Sequence, residues 1–170
     1  MTCRLDLLVP FLMALPLAGA SGAELAAEGV IDSTFTYVNT PTVMPSADGN
    51  EASLFDVSLV LTGQSAGSLL DKMVGRCLFA GPNNPTTGAF RITGWCTYTD
   101  SNGDMIFASD EESGDSFTAP PRGTGKLLGG TGRYAGISGG YDYTDEYFGT
   151  PKQGVFGGAG VKHGSYKIAR

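Results

Sequence analysis

This 170-residue sequence predicts a single all-β domain, an antiparallel eight-stranded β-barrel, on three observations. Short runs with period-two alternation recur between clusters of Gly, Pro, Asn and Asp, and about eight can be counted. No long helical pattern follows the apolar leader. Glycine, 26 residues in all, is densest from Gly123 to Thr144 (GTGKLLGGTGRYAGISGGYDYT), where the backbone must do what side chains forbid. Closing the set into a barrel removes the strand edges it would otherwise expose.

The chain opens with Met1 to Asp6, carrying one Arg, followed by the apolar run Leu7 to Ala20. That run is too short for a transmembrane span and ends in Ala18-Gly19-Ala20, an A-x-A site, with Ser21-Gly22-Ala23 as a second cut. The expectation is a signal peptide over 1–20, cleaved at 20 or 23, and one barrel domain over 24–170. Pro10 and Pro16 oppose the alternative, a buried N-terminal helix. The mature chain is expected to be secreted or periplasmic, and no Cys follows the run to carry a lipid anchor.

Gly29 to Val38 (GVIDSTFTYV) sets Ile31, Phe35 and Tyr37 against Asp32, Thr34 and Thr36, a half-buried strand. Asn39 to Glu51, with two prolines and Asp-Gly, predicts a long loop of the kind that lines a mouth. Ser53 to Thr62 places Phe55, Val57, Leu59 and Leu61 on one side of a strand, and Gln64 to Lys72 is a helical turn or a wide loop. Met73 to Ala80 and Ala89 to Thr99 form a hairpin across GPNNPTTG. Asn102-Gly103 turns the next one into Met105 to Ala108. Ser109 to Arg122, acidic and ending in Pro-Pro, predicts an exposed loop with an edge strand near Phe117. After the glycine stretch come a loop over Asp145 to Gln153 and a closing strand from Gly154 to Ile168, in which Gly157, Gly158 and Gly160 predict a bend or bulge.

Removal of Cys3 with the leader leaves Cys77 and Cys96, opposite each other on the predicted hairpin, and one disulfide is expected. No C-x-x-C spacing supports a metal pair or redox thiol instead. A net charge of −6 with scattered basic residues excludes nucleic acid and anionic membrane as partners.

Several constellations carry chemistry in outline. Asp100, Asn102, Asp104 and Glu111 imitate the oxygen spacing of a calcium loop, but Met105 stands where that loop needs Gly, so a plain Asn-Gly turn competes. No other metal or cofactor site is expected. His163, the lone histidine, excludes a multi-histidine metal site within one chain, and no G-x-S-x-G surrounds a serine to make a hydrolase. Gly125-Lys126 is followed by Leu127, where a phosphate loop needs Ser or Thr. Asp56, Arg76, Arg91, Tyr98, Tyr141 and Tyr143 are the polar groups that alternation could aim into the barrel, each with an outward position as the alternative. Phe55, Phe79, Phe90, Trp95 and Phe107 are candidates to line a cavity or to fill it.

Gly129, Gly130, Thr131, Gly132, Tyr134, Gly136 and Gly139 fill a Gly-Gly-Ser/Thr-Gly-x-aromatic-x-Gly-x-x-Gly motif ahead of a late strand, with Gly123-Thr124-Gly125 leading into it. Over these roughly twenty residues the chain resembles the allene oxide cyclase and dirigent superfamily, and its leader and compact length resemble the secreted bacterial members. The resemblance implies an allene oxide cyclase-like, calycin-like barrel, often a homo-oligomer, with a largely apolar cavity open at one end. It further implies a small hydrophobic or phenolic ligand and no cofactor. Such a ligand would be cyclised or isomerised, or oriented for coupling. The glycine corner carries over residue by residue; a catalytic set does not. The alternative is a non-enzymatic structural or interaction module, its barrel packed and its loops 39–51 and 109–122 meeting a partner. Arg133 and Tyr134 are the side chains of the glycine stretch to test for ligand contact.

Overall fold

The computed structural model describes residues 25–65, 67–116 and 118–169. The expected leader, its cleavage points and Phe117 lie outside them. Eight strands follow one another: β1 (Glu28–Pro45), β2 (Glu51–Gly63), β3 (Met73–Asn83), β4 (Phe90–Thr99), β5 (Met105–Gly114), β6 (Arg122–Gly130), β7 (Ile137–Lys152) and β8 (Val155–Ile168). Each pairs antiparallel with the next, and β1 pairs with β8, so the sheet closes into an up-and-down barrel. A single 3-10 turn, Gly132–Tyr134, joins β6 to β7.

Three expected loops are largely strand. β1 runs on to Pro45 and pairs with β2 as far as Pro45↔Glu51. Its last β8 partner is at Asn39↔Phe156, so Pro41 and Pro45 sit on a free edge, where a missing N–H is tolerated. β5 continues through the acidic run to Gly114, paired with β4 at Thr93↔Glu111 and Ile92↔Glu112. β7 continues to Lys152, with irregular register opposite β8 around Gly149. Charge and proline suit loops, whereas ladder pairing, on both sides for β5 and on one side for the ends of β1 and β7, holds these segments extended.

One end of the barrel is closed. The β2–β3 connection carries Leu69 and Leu70 beneath Ile31, Leu61, Met73 and Ile106, all buried. Ser68 ties this plug to β1, donating to the Asp32 carbonyl at 2.8 Å and accepting the Asp32 N–H at 3.1 Å. Tyr134 and Ile137, at the β6–β7 connection, complete the floor. Arg133, at 2.9 Å from the buried Asp100 carboxylate, lies over the Tyr134 ring, so both side chains serve this closed end. Gly132, at φ 51°, has no room for a Cβ against the Asp104 carboxylate.

The glycines do more than turn a corner. Across the ladders, Tyr143 lies opposite Gly123, Tyr141 opposite Gly125, Tyr98 opposite Gly75, Phe79 opposite Gly94, Phe35 opposite Gly160 and Tyr37 opposite Gly158. A Cβ built on any of these glycines meets the facing ring. Each ring therefore lies across the inner wall in space its neighbour leaves empty, which is how a barrel of this size holds so many aromatics. Cys77 and Cys96 face each other on β3 and β4 and form a disulfide, with Cα atoms 4.1 Å apart.

Candidate functional site

The half of the barrel above these rings is not filled. A cavity of about 730 Å³ opens between the β3–β4, β5–β6 and β7–β8 connections. Phe55, Phe79, Phe90, Tyr147 and Phe156 form its aromatic walls. The interior is thus packed in the lower half only, unlike the filled barrel of the alternative, non-enzymatic reading.

Its floor is polar, and each polar side chain follows from alternation on a strand. On β5, Ile106 and Ala108 face inward, so Asp110 and Glu112 do too. On β7, Tyr141 and Tyr143 bring Asp145 inward, and on β8 the glycines at 158 and 160 lead to Lys162. Lys162 Nζ stands 3.4 Å from Asp110 Oδ2, both side chains being at most 4% exposed. Tyr141 donates to Asp110 Oδ1 at 2.7 Å. Because that proton is committed, Tyr98, 2.7 Å away, must donate to the Tyr141 hydroxyl. Tyr143 donates to Glu112 Oε2 at 3.1 Å. The ammonium also sits 4.1 Å from the centre of the Tyr143 ring, 4.2 Å from Tyr141 and 5.1 Å from Phe35, a cation–π cage.

Burial and mutual repulsion set the protonation of this cluster. Desolvation, with the Asp145 charge added, pushes the Glu112 carboxyl up to about 8, so it holds its proton at neutral pH. Desolvation raises Asp145 as well, against the opposing pull of its Tyr37 hydrogen bond and of Lys162. Burial lowers the Lys162 ammonium, opposed by Asp110. Tyr37, Tyr98, Tyr141 and Tyr143 are all raised, chiefly by burial, and remain phenols. One floor therefore offers a proton donor, carboxylate acceptors and a shielded amine.

Of the residues singled out in the sequence, Tyr98, Tyr141 and Tyr143 join this floor, and Phe55, Phe79 and Phe90 the walls. Asp56 and Arg76 instead face outward and pair with each other at 2.7 Å, because Phe55 and Val57 take the inward positions of β2. Arg91 and Trp95 are outward on β4, where Ile92, Gly94 and Cys96 point in, and Trp95 is 70% exposed. Phe107 is outward between Ile106 and Ala108.

Asp100 Oδ1 accepts the N–H groups of Asn102 and Asp104, and its other oxygen is taken by Arg133 and Tyr134. Glu111 lies six residues further along β5 than Met105, roughly 20 Å at strand spacing, so the calcium-like spacing does not converge. His163 faces outward, with Nδ1 3.1 Å from Asp32. Gly129, Gly130, Gly132, Tyr134, Gly136 and Gly139 lie at the closed end or descend from it, away from the mouth. Asp110, Glu112, Asp145 and Lys162 were missed. Their signal is the two-residue period that runs on through the acidic segment of β5, the end of β7 and the glycines of β8.

No family model and no curated protein matches the chain. Among solved structures it is similar to a pterocarpan synthase dirigent protein, with a TM-score of 0.53 and 12% sequence identity over 85% of this chain and 89% of that one. At that identity the likeness shows the fold, a dirigent-like barrel.

Proposed function

We propose that this chain is an exported barrel that binds a small hydrophobic or phenolic molecule in its upper cavity and moves a proton on it, as a cofactor-free isomerase or cyclase. One observation carries the reading: an aromatic-walled space of about 730 Å³ whose floor holds Glu112, Asp145, Asp110 and Lys162. Aromatic walls bind a flat apolar body and exclude water, and buried titratable groups at one end then act on whatever oxygen reaches them. The protonated Glu112 can give a proton to that oxygen, Lys162 can stabilise the charge that develops there, and Asp145 can accept a proton from carbon. The same walls would hold a phenolic ring in one orientation for coupling. Export is supported by the Cys77–Cys96 disulfide, which suits an oxidising compartment.

Calorimetric titration with 2-naphthol, a rigid phenolic probe, tests the binding step. Val57 lines the cavity, and Val57→Trp should fill it and weaken binding at least about tenfold. Equal heats from both proteins, or none from either, would refute binding in the barrel.

A further inference from the structure

We infer that Lys162 captures carbonyl compounds: the cavity takes a hydrophobic aldehyde or ketone and holds it as an iminium on Lys162 Nζ. This rests on the cavity-binding reading and narrows it to a ligand class.

Lys162 is the single Lys or Arg among the described residues that faces the barrel interior. Lys72, Lys126, Lys152 and Lys167 are exposed, as are Arg76, Arg91, Arg122 and Arg133. Its one polar contact, to Asp110 at 3.4 Å, is long for a charge-assisted hydrogen bond, which typically spans about 2.7–2.9 Å. Ring faces of Phe35, Tyr98, Tyr141 and Tyr143 lie against the ammonium, and they cannot accept its protons as water would. A cation meant only to neutralise Asp110 needs no opening to a cavity, yet Lys162 borders this one. Desolvation also favours its neutral, nucleophilic form.

The groups around it can move every proton the reaction needs. The Lys162 ammonium gives a proton to the Asp110 carboxylate, and the free amine bonds to the carbonyl carbon. The C=O π pair moves onto oxygen, which takes the Glu112 proton. The nitrogen of this adduct then returns a proton to Glu112. Protonated Asp110 delivers its proton to the hydroxyl, which leaves as water while the nitrogen lone pair closes the C=N bond. Overall, ammonium plus carbonyl becomes iminium plus one water. Asp110 ends ionised, Glu112 ends protonated, and the positive charge stays beside Asp110. An iminium withdraws electrons from the adjacent carbon, so the same step would acidify a C–H for the isomerisation proposed above.

The test treats the folded wild-type chain with 2-naphthaldehyde and cyanoborohydride at pH 7, which reduces an iminium to a stable amine, and maps the modified lysines by mass. Lys162 should be modified at least about tenfold faster than the four exposed lysines, since the cavity holds the aldehyde against its Nζ. Saturating 2-naphthol should slow modification at Lys162 alone. Lys162→Arg keeps a cation beside Asp110 but forms no such adduct, so with the circular dichroism of the sheet unchanged it should lose the fast modification while the four exposed lysines react as before. If Lys162 reacts no faster than the exposed lysines while 2-naphthol binds, carbonyl capture is overturned and the cavity reading stands. If 2-naphthol does not bind either, both fail.

Discussion

Replacing Glu112 by Gln should flatten the dependence of stability on pH. Glu112 ionises ordinarily at 4.5, but in the folded barrel it is pushed up to about 8. Between those values the folded chain keeps a proton that the unfolded chain has lost. Raising the pH therefore favours unfolding, at close to 1.4 kcal/mol per pH unit. The contribution is complete below pH 4.5 and gone above about 8, so from pH 5 to pH 8 this one carboxyl accounts for about 3–4 kcal/mol. For a domain of this length that is on the order of 10 °C in Tm. Gln keeps the acceptor for Tyr143 and cannot ionise. Asp145, also raised by burial, contributes with the same sign in both proteins. Lys162 is lowered and so acts oppositely, towards its ordinary range near 10.5; Asp56 and Asp100 are lowered and act only in acid. Thermal denaturation of both proteins at pH 5, 6, 7 and 8 measures the difference. A wild type as stable at pH 8 as at pH 5, or a Glu112→Gln curve parallel to it, would refute the argument.

Four further perturbations separate the parts of the molecule. Gly125→Ala puts a Cβ into the Tyr141 ring and should cost about 1–3 kcal/mol in chemical denaturation, whereas outward Thr124→Ala on the same strand should stay within about 0.5 kcal/mol. Reducing the Cys77–Cys96 bridge, which spans 19 residues, should lower stability by about 3 kcal/mol, read as the shift of the urea midpoint with reductant. Phe79→Ala should cost about 3–5 kcal/mol and enlarge the cavity, while Trp95→Ala on the outer face should leave stability and 2-naphthol binding nearly unchanged. Tyr141→Phe removes the donor to buried Asp110 Oδ1 and should cost about 1–3 kcal/mol without changing the circular dichroism of the sheet.

Strand number, meander order and the disulfide were legible because each rests on local information. The Asn102-Gly103 turn sets one hairpin, and GPNNPTTG aligns Cys77 with Cys96. Strand length was not legible at the open end. Asn39 to Pro45 and Asp145 to Lys152 carry prolines, glycines or charges that suit loops, and only their ladder partners across the β1–β2 and β7–β8 turns hold them extended. Period two was itself sufficient to set aside Asp56, Arg91 and Trp95. Phe55 beside Asp56, Phe90 beside Arg91 and, by the same period, Tyr98 three residues from Trp95 point inward, and a one-residue step always crosses the wall.

The site was harder to see because its two halves carry opposite local signals. Asp110 and Glu112 sit in SDEESG, which by composition belongs in water, and Lys162 follows a glycine run that by propensity weakens a strand. Both become sensible once the strands are in register. Glycines at 158 and 160 leave room for the Tyr37 and Phe35 rings, and Gly123 and Gly125 for Tyr143 and Tyr141. The Phe35, Tyr141 and Tyr143 rings cage the Lys162 ammonium, whose charge makes the buried Asp110 tolerable. The glycine excess and the interior charges are therefore one device: small residues on one strand admit aromatic rings from the next, and the rings build a dry floor on which a lysine and carboxylates can be held. No single strand states this, since every glycine–ring pair spans two strands and the charged cluster draws on β5, β7 and β8.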